Sequence, residues 1–342
     1  MIKIKIHNPT KGRNEPTFRP LYFVRDMLRD YSIDITDSND YDFMFFGLED
    51  FYDMHKTLDE SVEWGLENIF KYSNGGEHFL FDGLDSTSLA GTYEVLEKGN
   101  ATYLFKHQLL KNRKDYNNKL AFGRWWFGSD SELDVSYDID NKNWNKIKLS
   151  GMNLGYQIPN YHSHMNICDK KSGICAIYHG QHDPIPANKA TAPGLFYTKH
   201  RVGAWDTLSQ LSTKYNILKD RLPKQEYLKT LWQSKIVLSP YGMGEICYRD
   251  FEAMQFGTLM IKPSMENIDT YPNVYIENET YVPVKADWSD LNNVIEDVVE
   301  NYEKYKHIPL NFQNKFKQVY TYENLCMHWY NIFKNLANIN EE

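Results

Sequence analysis

A chain of 342 residues is long enough to bury two cores, and its 42% hydrophobic and 25% charged residues are ordinary for a folded protein. A formal net charge of −8 excludes global electrostatic attraction to nucleic acid or an anionic membrane, so a polyanionic partner has to find a local patch. Four cysteines, Cys168, Cys175, Cys247 and Cys326, are too few and too scattered for a disulfide framework.

Ile2, Ile4 and Ile6 alternate with lysines, which predicts a half-buried strand rather than a signal peptide. No apolar run approaches the roughly 20 residues of a membrane span, and a cytoplasmic chain is expected. The strand ends at His7-Asn8-Pro9, and the polar loop from Thr10 to Pro16 precedes a helical stretch. In a doubly wound sheet such a loop lies over the carboxyl ends of the strands, so Lys11 and Arg13 are candidates to face an acceptor; a solvated basic loop is the alternative. Apolar runs at 42–46 and 77–82 predict two more buried strands. Between them Leu58, Val62, Leu66 and Ile69 recur at helical spacing, so strands and helices alternate through this half. Asp82 and Asp85, at the end of the third strand, are placed to deprotonate an acceptor hydroxyl, while helix capping by Asp85 or Ser86 is the alternative.

Residues 101–106 predict a fourth strand, followed by Lys106, His107, Lys111, Arg113, Lys114, Lys119 and Arg124 leading into Trp125-Trp126-Phe127. Basic groups interleaved with aromatics suit a nucleic-acid backbone with stacked bases, or an anionic or sugar acceptor; the alternative is a solvated basic face beside core tryptophans. Asp138-Ile-Asp140 has the two-carboxylate form of a divalent-cation site but lies in a stretch that reads as loop. His162, His164, Cys168, Cys175, His179 and His182 carry zinc-type ligands without finger spacing, and Cys175 sits inside an apolar strand run, 173–178. That run opens a second domain, with the boundary near 150–170.

In the second half, Lys199, His200 and Arg201 precede a helix expected from about Asp206, where basic groups can approach a diphosphate. Tyr227, Leu228, Leu231 and Trp232 have helical spacing and lead into 235–263, KIVLSPYGMGEICYRDFEAMQFGTLMIKP. Here Ile236-Val-Leu238 predicts a buried strand, and Tyr241-Gly242-Met243-Gly244 the turn. In the following helix Cys247, Phe251 and Met254 share one face, with Glu245, Arg249 and Glu252 opposite. Gly257 stops the helix, and 258–261 forms the next strand of a βαβ unit. Glycines ahead of a helix N-terminus favour an anion, while an amphipathic helix with a solvated charged face fits the same spacing.

This stretch resembles the sugar-nucleotide motif of glycosyltransferases built from two facing Rossmann domains, the GT-B fold, in which a Gly-rich loop enters a helix ending E-A-M-x-x-G. Glu252-Ala-Met-Gln-Phe-Gly257 matches that ending. Where many members carry a second glutamate, this chain has Gly244, with Glu245 one step later. Tyr248-Arg249 is more similar to the exostosin-like branch, where an aromatic or serine and then an arginine precede the glutamate. The resemblance implies that Glu252 holds the ribose hydroxyls and that Arg249 faces the diphosphate; Gly242, Gly244, Glu245, Tyr248, Lys199 and Arg201 are the further candidates for the donor site.

Beyond this unit, 273–276 reads as a short strand, Ser289 as the cap of a helix carrying Leu291, Ile295 and Val298, and a last helix from about Tyr322 buries Leu325, Trp329 and Phe333. The expected fold class is α/β. It comprises an acceptor domain over 1–165, a nucleotide-sugar domain over 166–320, and a C-terminal helix over 321–342 that crosses back to the first domain. The implied activity is sugar transfer from a nucleoside-diphosphate sugar, UDP among the carriers, to a hydroxyl-bearing acceptor: a glycan, a lipid-linked sugar, a protein or a modified base of DNA or RNA. Trp125, Trp126, Lys11 and Arg13 are the candidate acceptor contacts. The resemblance implies no cofactor and no metal, since a helix end and basic side chains hold the leaving diphosphate. A non-catalytic nucleotide or nucleic-acid binding module using the 106–127 patch is the alternative.

Overall fold

The computed structural model describes residues 1–53, 56–117, 120–121, 134–151, 173–176, 194–218, 222–242 and 244–336. The first half contains β1 (Ile2–Ile6), α1 (Asn14–Phe23), α2 (Arg25–Asp30), β2 (Ile33–Thr36), β3 (Phe43–Gly47), α3 (Leu48–Phe51), α4 (Leu58–Ser73), β4 (His78–Asp82), α5 (Thr92–Gly99), β5 (Tyr103–Lys106), β6 (Gln108–Leu110), β7 (Leu120–Ala121), β8 (Asp134–Val135), α6 (Asn141–Lys146) and β9 (Ile147–Leu149). Its main sheet is parallel, in the order β2-β1-β3-β4-β5-β9. Both faces are covered, which is why β3 and β4 read as unbroken apolar runs. Phe43, Phe45, Phe79 and Phe81 pack on one side, with Met44, Phe46 and Leu80 on the other.

The second half contains β10 (Ile174–Cys175), α7 (Gly194–Ser209), β11 (Ile217–Leu218), α8 (Lys224–Gln233), β12 (Ile236–Leu238), α9 (Tyr248–Phe256), β13 (Leu259–Pro263), β14 (Ile268–Thr270), β15 (Val282–Val284), α10 (Leu291–Glu300), α11 (Tyr302–Tyr305), α12 (Ile308–Val319) and α13 (Tyr322–Phe333). Its sheet is again parallel, in the order β11-β10-β12-β13-β15. In both sheets the second strand in sequence lies on one side of the first and the later strands on the other. The order therefore reverses between β1 and β3 and between β10 and β12, and in open α/β sheets ligands bind outside the carboxyl ends of the strands at such a reversal.

Several expectations are corrected. The helix predicted from about Asp206 begins at Gly194, so Arg201 lies within it; His200, Arg201, Ala204 and Leu208 share its buried face, and because the first two are polar no apolar stripe marks its start. Residues 273–276 are not a strand; the strand that extends the second sheet is β15. Asp290, not Ser289, occupies the N-cap of α10, and neither Asp85 nor Ser86 caps a helix, since α5 starts after Gly91.

Two features join the halves. Strand β6 pairs antiparallel with β14, aligning Gln108 with Thr270 and Leu110 with Ile268. Helix α13 lays Trp329 against Phe105 (5.1 Å between ring centres) and Phe333 against Phe79 (5.7 Å), closing one face of the first sheet. His328 of the same helix bonds through Nε2 to the Leu149 carbonyl at 2.7 Å and stacks on Tyr271. One apolar cluster consequently runs from Ile4 and Phe45 through Trp329 to Val237 and Met260.

Candidate active site

Strand β12 delivers the chain at Ser239 to a tight loop in which the Gly242 amide donates to the Gly244 carbonyl at 2.8 Å. The start of α9 is fixed by Asp250, whose carboxylate accepts from the Cys247 backbone amide at 3.0 Å, making Cys247 the N-cap. Helix geometry therefore begins at Tyr248, and this corrects the expectation that Glu245 shares a helical face with Arg249 and Glu252. Glu245 lies in the loop, is fully buried, and accepts from the Thr87 amide (3.1 Å) and hydroxyl (3.0 Å) of the opposite half. The αL cap at Gly257, with φ of 60°, ends the helix where the sequence indicated.

Arg249 is not on a solvated face: it is nine-tenths buried. Burial opposes its charge, but Tyr227, Cys247, Glu252 and Cys175 together hold its pKa above the ordinary guanidinium value. Glu252, one turn on and half-buried, accepts from the Tyr227 hydroxyl at 2.8 Å. Burial is also the main reason the Tyr227 phenol titrates well above its usual range. From α7, Arg201 reaches the same loop and donates from Nε to the Tyr241 carbonyl at 3.0 Å. Its Nη2 would stand 2.8 Å from a Cβ at Gly242, so Arg201 lies against the loop that leads into the first turn of α9, which carries Arg249; burial pushes the thiol of the N-cap Cys247 up. Tyr248 is 55% exposed on that turn, within the fields of Asp85 and Arg19. Lys199 is in α7, and its side chain lies outside the described residues.

Gly244 needs its missing side chain. A Cβ there would stand 1.2 Å from the Asp85 carbonyl oxygen, so the loop after β12 can meet the loop after β4 only as glycine. Gln108 also donates to that Asp85 carbonyl, and the Tyr116 hydroxyl donates to the Thr87 carbonyl at 2.9 Å, so residues 85–87 are held from both halves. Asp85 itself is exposed. Asp82 is not poised as a base: it is fully buried, 2.7 Å from the equally buried Lys106 Nζ, and accepts from Thr92 Oγ1 at 2.8 Å.

At the order reversal of the first sheet, Lys11 and Arg13 line an open pocket of about 400 Å³ together with Glu49, Tyr52, Asp53 and Trp64. Lys11 donates to the Glu49 carbonyl at 2.7 Å and lies 3.6 Å from Asp50, and Arg13 lies 3.9 Å from Glu49. Buried Asn14 donates to Asp50 at 2.9 Å and accepts from the Glu49 amide at 3.3 Å.

The basic and aromatic stretch after β5 loses its first two members. Lys106 is paired to Asp82 in the core, and buried His107 bonds through Nδ1 to the Gly151 carbonyl and Ser150, with burial lowering its pKa to about 4. Lys119, Arg124, Trp125 and Trp126 lie outside the described residues, as do His162, His164, Cys168, His179 and His182; Cys175 is buried in β10. Asp140 caps α6, accepting from the Asn143 amide.

No family model and no curated protein matches the sequence. Among solved structures the chain is similar to the sucrose-phosphate synthase of Thermosynechococcus elongatus, with a TM-score of 0.50 and 11% identity over 99% of this chain and 100% of that one. The fold is GT-B. Two further likenesses are to Anabaena HepE in complex with UDP (TM-score 0.46, 10% identity, 99% and 100% covered) and to a glycosyltransferase from Rickettsia africae (0.43, 13%, 98% of each). Among the described residues no helix is long and apolar enough to cross a membrane.

Within this GT-B frame, residues the sequence reading passed over hold the loops. The spacing of Tyr227 marks a helix but not its bond to Glu252. Asp250 could have been found as the acidic group three positions after the N-cap. Lys262 carried its own signal, a cation inside an apolar strand. Thr87 had none, because its partner Glu245 lies 158 residues away.

Proposed function

We propose that this chain is a glycosyltransferase, moving a sugar from a nucleoside-diphosphate sugar at the second sheet's order reversal to a hydroxyl-bearing acceptor at the first's. The observation that carries the reading is that Arg201 lies against the Tyr241–Gly242 backbone and Arg249 stands in the first turn of the helix that follows, with the Glu252 carboxylate one turn further along. A leaving diphosphate gains charge as the glycosidic bond breaks, and guanidinium groups at a helix N-terminus meet that charge without a divalent cation. Glu252, oriented by Tyr227, has acceptor capacity left for ribose hydroxyls. UDP is the first carrier to test.

On the acceptor side, Tyr52 and Trp64 offer ring faces while Glu49 and Asp53 offer hydroxyl acceptors, and the pocket's cations stand beside carboxylates. That balance suits a neutral, hydroxyl-rich acceptor such as a glycan better than a phosphate backbone. Asp85, exposed beside Tyr248, is the candidate proton acceptor in place of the buried Asp82.

Calorimetry against a panel of UDP, GDP and ADP sugars tests the reading, followed by assay for slow release of the free nucleoside diphosphate with and without EDTA. Binding of one donor with EDTA-resistant turnover is expected. A panel in which nothing binds overturns the proposal, binding without turnover favours a non-catalytic module, and turnover restored only by manganese removes metal independence.

A further inference from the structure

We propose that Lys262 is a positioning residue that holds the Gly242–Cys247 loop in the form that receives a diphosphate; the diphosphate part rests on the reading above. Strand β13 is buried on both faces, and Leu259, Met260 and Ile261 are apolar as its place in the sheet demands. The next residue is a lysine with no exposed surface. Its Nζ donates to the Glu245 carbonyl at 2.6 Å and lies 3.0 Å from Asp250 Oδ2, with the Tyr241 ring centre 5.0 Å away. Asp250 in turn accepts from Ser239 Oγ (2.6 Å), the Cys247 amide (3.0 Å) and the Tyr275 hydroxyl (2.8 Å).

One buried ion pair therefore fastens the chain before the loop at Ser239, inside it at Glu245 and after it at Cys247. A buried ammonium is expensive to desolvate, and apolar side chains of similar volume would stabilise the strand as well or better, so stability alone is a poor reason for a lysine here. What an apolar residue cannot do is bond the Glu245 carbonyl. That bond fixes the backbone at Glu245, between Gly242, against which Arg201 lies, and the first turn of α9, which carries Arg249.

The test compares Lys262→Met, Asp250→Asn, the double variant and Tyr275→Phe by thermal unfolding, by hydrogen exchange of the amides in 241–247, and by calorimetry with UDP. Each single charge removal strands a buried ion and lowers Tm; the double variant regains most of that loss. The double variant is nevertheless expected to exchange its loop amides at least 10-fold faster than the parent and to bind UDP at least 10-fold more weakly. A double variant that recovers Tm and exchanges its loop at the parental rate overturns the proposal. Should neither Lys262 variant fold, Tyr275→Phe decides, since it removes one bond to Asp250 and leaves the charges paired: faster loop exchange supports the positioning role, unchanged exchange ends it. A parent that does not bind UDP sinks the donor reading, while the exchange data still decide what Lys262 does to the loop.

Discussion

Arg249 is nine-tenths buried, so removing its side chain takes away packing as well as charge. Arg249→Lys, which keeps the charge and loses the planar fork, is expected to lower kcat by about 10-fold or more, by the rule that ~1.4 kcal/mol is a decade in rate. Arg249→Ala is expected to lower Tm as well. Full kcat in both would return the arginine to a purely structural role. Glu252 differs in being half-buried and in holding its place through one bond from Tyr227. Its replacement by alanine is expected to weaken nucleoside-diphosphate binding by roughly 10- to 150-fold, the range for ~1.5–3 kcal/mol of charge-assisted hydrogen bonding, with little change in Tm. Calorimetry on the folded variant checks this. At Gly244 a methyl group meets the Asp85 carbonyl rather than a movable side chain, so Gly244→Ala must push the two loops apart. It is expected to accelerate exchange of the Thr87 amide, which Glu245 otherwise protects, and unaltered exchange there would show that the loops yield freely.

Secondary elements were legible where burial had a simple pattern. Strands β3 and β4 are covered on both faces, so five consecutive buried residues announced them. Helix α4 has one buried face, visible as spacing, and starts at a Thr57 to Glu60 capping box that the apolar spacing does not mark. Thr57→Ala is expected to cost about 1 kcal/mol, a fall in Tm of roughly 2 °C, measured by calorimetric unfolding. The start of helix α7 carries no apolar signal because its buried stripe opens on His200 and Arg201, and 273–276 has a strand-like pattern because Val274 and Tyr275 are buried for another reason, Tyr275 reaching Asp250. In the candidate site the local part was readable, glycines, Arg249 and Glu252 being neighbours in sequence. The contacts that fix the loop were not, since Thr87 and Glu245 are 158 residues apart and Lys262 reaches Glu245 and Asp250 only once β13 lies beside β12.

Across the whole molecule, burial holds His7, His78, His107, His200 and His328 neutral, below the ordinary imidazole range. His107 and His328 are lowered to about 4. A histidine whose folded pKa lies below its unfolded value leaves the unfolded chain binding more protons between the two, so its stabilising effect is present above pH ~6.5 and lost as pH falls toward ~4. For His107 alone the change is on the order of 3 kcal/mol. Urea midpoints are expected to fall steadily over that interval, and His107→Gln to flatten the curve; midpoints constant from pH 6.5 to 4 would contradict the burial argument. Helix α13 carries a different consequence, one of timing. The phenylalanine face of the first sheet is covered by Trp329 and Phe333, and these residues leave the ribosome roughly 230 residues after Phe105, about 10 to 50 s later at ~5–20 residues per second. Throughout that interval a nascent chain presents uncovered aromatic surface to its neighbours, so a chain stalled or cut before Tyr322 emerges as a sticky intermediate rather than as a usable half.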